Sequence, residues 1–236
     1  MHGRMALRQK PRPQHLPPRP GARAPGVTMP RPMALENGDR LTAAEFIRRY
    51  EAAPNLKKAQ LIEGIVHMPS PVRITVHAKP DGLIHGWLFC YALEHPGLEV
   101  LPNATLLLDP DNTPQPDAML CTAPRPGGKV WINDKDYLCG APELVCEVAA
   151  SSASVDLHDK FRAYRRNGIQ EYLVWLTYES RVRWFHLEDQ EYVEQPEKSG
   201  RLTSKVFPGL VLDVKALLKG DKAKLIATLR AAMAQG

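Results

Sequence analysis

No apolar run in the 236-residue chain approaches the ~18–20 residues that a membrane-spanning helix needs. The basic N-terminus also lacks a continuous apolar stretch, so no secretory signal is expected. Cysteine is scarce: Cys90, Cys121, Cys139 and Cys146 are scattered without a CxxC pair. That spacing argues against a zinc site and fits a reduced, cytoplasmic chain. Acidic residues are missing from positions 1–35, which hold Arg4, Arg8, Lys10, Arg12, Arg19, Arg23 and Arg31. Setting these seven cations aside turns the formal net charge of +5 into −2. The body of the protein is therefore not basic, and affinity for nucleic acid has to come from a local patch or from the tail.

What is present reads as an extension followed by a folded domain. Residues 1–39, rich in Pro and Arg and poor in aromatics, are expected to form a disordered extension. That extension is either a basic arm for phosphates or a dispensable addition. Order is expected from residue 40. Thr42 and Glu45 have capping-box spacing ahead of a short helix through Phe46 and Tyr50. Residues 59–68 read as a strand broken by Gly64, and Asp81 to His95 as a helix with Leu83, Ile84, Trp87, Leu88 and Tyr91 on one face. Residues 98–108 and 115–121 form a hairpin-like pair, and 122–141 read as a surface loop. Strands are expected at 144–148, 171–177 and 181–187, and helices at 213–218 and 222–233. This order predicts an α/β (α+β) fold with a mixed central sheet flanked by helices. The main domain spans 40–195, and 196–236 is a C-terminal extension with helices.

The chemistry points to one stretch. Glu147 interrupts the apolar run Leu144, Val145, Cys146 and Val148, and a carboxylate buried there needs compensation. Asp117 follows Pro116 just before another apolar patch, and Lys160 lies on an amphipathic helix whose stripe is Leu157, Phe161 and Tyr164. Ser152 or Ser154 is placed to cap that helix, with Asp156 and Asp159 near its positive end. Two carboxylates on neighbouring strands, with the Val148 carbonyl, would suit Mg²⁺ or Mn²⁺, and a lysine nearby would hold a water or offset developing charge. The plainer alternatives are a surface Asp156–Lys160 pair, Asp117 as a turn residue, Glu147 facing solvent on an edge strand, and Tyr164 as an ordinary core aromatic.

The segments QLIEGIVHMPSPV, NATLLLDPDNTPQPDAML and PELVCEVAASSASVDLHDKFRAYRRNGIQEYLVW resemble the Uma-type restriction endonucleases of the PD-(D/E)XK nuclease superfamily. The resemblance spans roughly residues 41–195 and implies a restriction-endonuclease-like core acting on DNA. It places the two acids on Asp117 and Glu147. The lysine usual two residues after the second acid falls on Ala149, which implies a cation moved to Lys160. Gln60 stands where relatives often carry Glu; Glu63 is a substitute candidate, and His77 matches a recurrent histidine. The resemblance therefore implies a Mg²⁺-dependent DNA endonuclease. The alternative is a catalytically inactive binding module on the same fold. A homodimer through exposed sheet edges is compatible with cutting two strands.

Overall fold

The central strands alternate with period two, and that alternation sorts the core into two layers. The structure is a computed structural model that describes residues 33–235. Its elements in order are α1 (Ala43–Glu51), β1 (Gln60–Ile62), β2 (Ile65–His67), α2 (Lys79–Leu93), β3 (Leu98–Pro102), β4 (Leu106–Leu107) and β5 (Ala118–Thr122). Then come β6 (Val130–Ile132), β7 (Leu138–Gly140), β8 (Leu144–Ala149), α3 (Lys160–Arg166), β9 (Glu171–Leu176), β10 (Arg181–Glu188) and β11 (Glu191–Glu194). The chain continues with β12 (Arg201–Thr203), β13 (Val211–Asp213), α4 (Val214–Lys219) and α5 (Lys222–Met233). Two π-helical turns, Ile74–Ala78 and Val155–Asp159, lead directly into α2 and α3.

A six-stranded mixed sheet, ordered β11-β10-β9-β8-β5-β3, forms the centre. Only the β8–β9 pair in it is parallel, joined by the crossover through α3. On one face Ala118, Leu120, Leu144, Cys146, Val148 and Leu173 pack under α2. On the other, Met119, Cys121, Val145, Tyr172 and Val174 pack with Tyr164 of α3. β8 and β9 are buried along their whole length, which is why they read as near-continuous apolar runs.

Several expectations need correction. The 59–68 segment is not one broken strand but the β1–β2 hairpin, turning at Glu63 and Gly64, both with positive φ. The segment 98–108 divides. β3 pairs with β5 as expected, while β4 joins β7 in a separate three-stranded sheet. The expected loop 122–141 contains β6 and β7; their short runs are too brief for a periodic signal. Ser154 makes no side-chain cap, because the π-helical turn has replaced the helix start.

Both ends of the expected domain shift as well. Residues 1–32 of the expected extension lie outside the described residues. Residues 35–39 are held on the hairpin: Val66 N–H donates to the Asp39 carbonyl at 2.8 Å, and Leu35 is buried. The 196–236 segment shares the main core. Trp87 Nε1 donates to the Val211 carbonyl at 3.0 Å, and Tyr91 donates through its hydroxyl to the Pro208 carbonyl at 2.8 Å. The Trp87 and Trp184 rings meet edge-on at 5.8 Å between α2 and the sheet.

Candidate active site

The same period-two alternation puts two acids on one face. Asp117 and Glu147 share parity with Met119 and Val145, the face that α3 covers. β5 and β8 are neighbours, with Ala118 opposite Cys146, so the carboxylates converge. The Val148 N–H donates to Asp117 Oδ2 at 2.9 Å, tying the first acid to the strand of the second.

Asp156, Lys160 and Tyr164 follow one another at four-residue spacing and so share one face of the turn and helix above. Lys160 Nζ lies 2.9 Å from Glu147 Oε1 and 3.0 Å from Asp156 Oδ1. The Tyr164 hydroxyl donates to the same Glu147 Oε1 at 2.9 Å. Glu147, Asp156 and Lys160 are 2%, 1% and 4% exposed. These values overturn the surface-pair reading of Asp156 and Lys160, and the edge-strand reading of Glu147. Tyr164 is a core aromatic, its ring 5.0 Å from that of Tyr172, and its hydroxyl also reaches Glu147. Asp117 is also buried, so it is more than a turn residue.

Burial and charge act against each other in this group. Burial pushes Glu147 up to about 7; Lys160 opposes that push, and the charges of Asp117 and Asp156 add to it. Burial would also raise Asp117. The hydrogen bond from His77 and the charges of Lys58 and Lys160 instead hold it well below the usual carboxylate range. Burial would lower Lys160, but Asp156 and Glu147 keep it firmly protonated.

On the open side, Lys58 Nζ lies 3.5 Å from Asp117 Oδ1 and donates to Asn103 Oδ1 at 3.0 Å. His77 Nε2 lies 3.4 Å from Asp117 Oδ2, and that contact raises the histidine's pKa. His85 Nε2 lies 3.0 Å from the Asp117 backbone carbonyl. Gln60 Oε1 accepts from Gln115 N–H at 3.4 Å. Glu63 is not brought to this group: it sits in the β1–β2 turn and pairs with Arg166 Nη2 at 2.9 Å. Lys58, His85 and the buried role of Asp156 were not anticipated. Asp156 had a signal in its i, i+4 spacing to Lys160, whereas Lys58 arrives from a loop with no motif around it.

A cavity of about 530 Å³ opens beside these residues, with Lys58, Gln60 and His77 in its wall. Lys160 is not part of that wall and stays in the packed layer with Glu147. Among the described residues, no three His, Cys, Asp or Glu side chains are grouped to hold a metal ion. Mg²⁺, however, is commonly held by one or two carboxylates plus water and substrate oxygens. The donor set fits that pattern. Asp117 and Glu147 offer hard oxygens, and Tyr164 and Lys160 both address Oε1 of Glu147 rather than Oε2.

No curated protein matches the chain. Among solved structures, the fold is similar to the crystal structure of a "putative nuclease belonging to DUF820" from Anabaena variabilis. The TM-score is 0.57 at 15% identity, covering 76% of this chain and 98% of that one. A family model described as "Putative restriction endonuclease", named Uma2, matches residues 43–215. That match covers most of the sequence, and the chain belongs to the Uma2 family.

Proposed function

We propose that the protein is a Mg²⁺-dependent (or Mn²⁺-dependent) endonuclease that hydrolyses phosphodiester bonds in DNA. The observation that supports this most is the convergence of Asp117 and Glu147 on one sheet face, tied by the Val148 N–H. Asp117, Glu147 and the Val148 carbonyl would hold the metal, which when bound supplies Lewis acidity and a more acidic water. Lys160 and Tyr164 fix the Glu147 carboxylate, and the charge of Lys160 opposes the burial that favours its protonated form. Lys58 and His77, in the cavity wall, meet the substrate's phosphate and offset negative charge developing on it. Lys160 is thereby a positioning residue, and Lys58 takes the substrate-facing role first assigned to it.

One observation favours a second reading, a nuclease-fold binding module. Gln60 brings no charge to the site and its carbonyl is occupied by Gln115 N–H. Incubation of plasmid DNA with Mg²⁺ or Mn²⁺ separates the two. The endonuclease converts supercoiled plasmid to nicked or linear forms, and Asp117→Ala or Glu147→Ala lowers the rate by roughly two or more orders of magnitude. Equal cutting by wild type and both variants overturns the site assignment, and no cutting under either metal leaves the binding module.

A further inference from the structure

The wall of the cavity beside Asp117 is made of two kinds of surface. Lys58, Arg73, His77 and the short polar side chains Ser151 and Ser152 stand on it, while Met68, Pro71, Val72, Val76 and Tyr178 make its apolar part. Isolated exposed apolar residues are ordinary. Here they concentrate: Tyr178 is 60% exposed and Val72 63%, both in the wall, and Ile74, next to Arg73, is 68% exposed. Tyr178 lies just after β9, where the chain turns toward β10, so its backbone follows the central sheet while its side chain is exposed.

A volume of about 530 Å³ is in the range of small-ligand sites and is large enough for one nucleotide. Apolar and aromatic surface accepts the face of a base, and cations attract its phosphate. A base inside a duplex has both faces stacked and cannot present one to Tyr178 without leaving the helix. We propose that this cavity receives an unstacked nucleotide of single-stranded DNA, its base laid against Tyr178 and its phosphate met by Lys58 and Arg73. The inference rests on the nuclease reading for its choice of DNA, and it makes the preferred substrate a single-stranded or frayed segment.

The test uses the full chain in EDTA, so that nothing is cut, at one fixed salt concentration. Fluorescence anisotropy compares a fluorescein-labelled oligothymidylate with a labelled hairpin duplex of equal length. The single strand binds more tightly. Tyr178→Ala, at an exposed position that leaves folding intact, weakens it by roughly 5- to 100-fold, and Tyr178→Phe keeps the affinity within about threefold. Duplex affinity does not respond to either change. Equal affinity for both probes, or a silent Tyr178→Ala, overturns the proposal. Tyr178-dependent binding by a protein that never cuts refutes the nuclease reading and leaves the cavity assignment standing. Cutting that persists with a silent Tyr178→Ala does the reverse.

Discussion

At the scale of single residues, the group around Glu147 is a balance in which no member can be removed alone. Lys160 is buried between two carboxylates, and deleting one partner of such a group leaves charge uncompensated. Lys160→Met is expected to cost about 3–5 kcal/mol in urea denaturation at pH 8. The loss shrinks at acidic pH, where Glu147 takes up a proton, and Glu147→Gln/Lys160→Met recovers part of it. An unchanged denaturation midpoint for Lys160→Met would refute the buried-charge account. The pKa of Glu147 itself, raised from 4.5 to about 7, has a defined sign. The folded protein binds this proton more tightly than the unfolded chain, so the associated stability is full below pH ~4.5 and lost as pH rises through about 7. A cation held by ionised Glu147 reverses that loss. Mg²⁺ is therefore expected to raise the thermal midpoint more at pH 8 than at pH 6 in differential scanning fluorimetry, and an equal shift at both pH values would contradict metal binding through Glu147. Glu147 and Lys160 stand out in the sequence because an acid in an apolar run demands compensation. Lys58 does not stand out, because its neighbour Asp117 is 59 positions away and only the fold brings the two together.

At the scale of elements, what was legible depended on length and period. α5 runs over 222–233 as expected, and the buried strands β8 and β9 announce themselves as apolar runs. The two-to-four-residue strands β4, β6, β7, β11 and β12 are below the length at which alternation can be told from chance. The π-helical turns were invisible for another reason: a wider turn leaves the residue types unchanged and alters only which side chains line up. Both occur at the site, where such turns are frequent, and each carries one of its groups, His77 in Ile74–Ala78 and Asp156 in Val155–Asp159. The side chains of His77 and Asp156 reach opposite ends of the acid pair: one meets Asp117, the other holds Lys160 against Glu147. The expected serine cap was a reading of a regular helix start, and the π-helical turn removed the geometry on which a cap depends.

At the scale of the whole molecule, charge is distributed unevenly along the chain. The segment after residue 195 is part of the body, since Leu212, Leu217, Leu225 and Leu229 share one core with Trp87 and Trp184. Composition could not reveal this, because a helix that packs on the domain and one that merely follows it have the same apolar stripe. The N-terminal cations, by contrast, are fully legible: seven in residues 1–35, no acid, and a remainder of the chain at −2. On the proposed nuclease reading, a body of that charge repels DNA at long range, and attraction is expected locally, at Lys58, Arg73 and His77 of the cavity wall. On that reading, long-range attraction is expected from residues 1–32, which hold all seven of those cations. Each phosphate neutralised contributes roughly 0.9 to the slope of log Kobs against log salt on a duplex, and about 0.7 on a single strand. Deleting residues 1–32 is therefore expected to flatten that slope by up to about six on duplex DNA, to weaken binding most at low salt, and to leave the turnover at saturating DNA unchanged. The check is a salt titration of binding for the full and shortened chains: an unchanged slope removes any role for these cations in DNA capture, and a fall in saturated turnover would move them from capture into the active site.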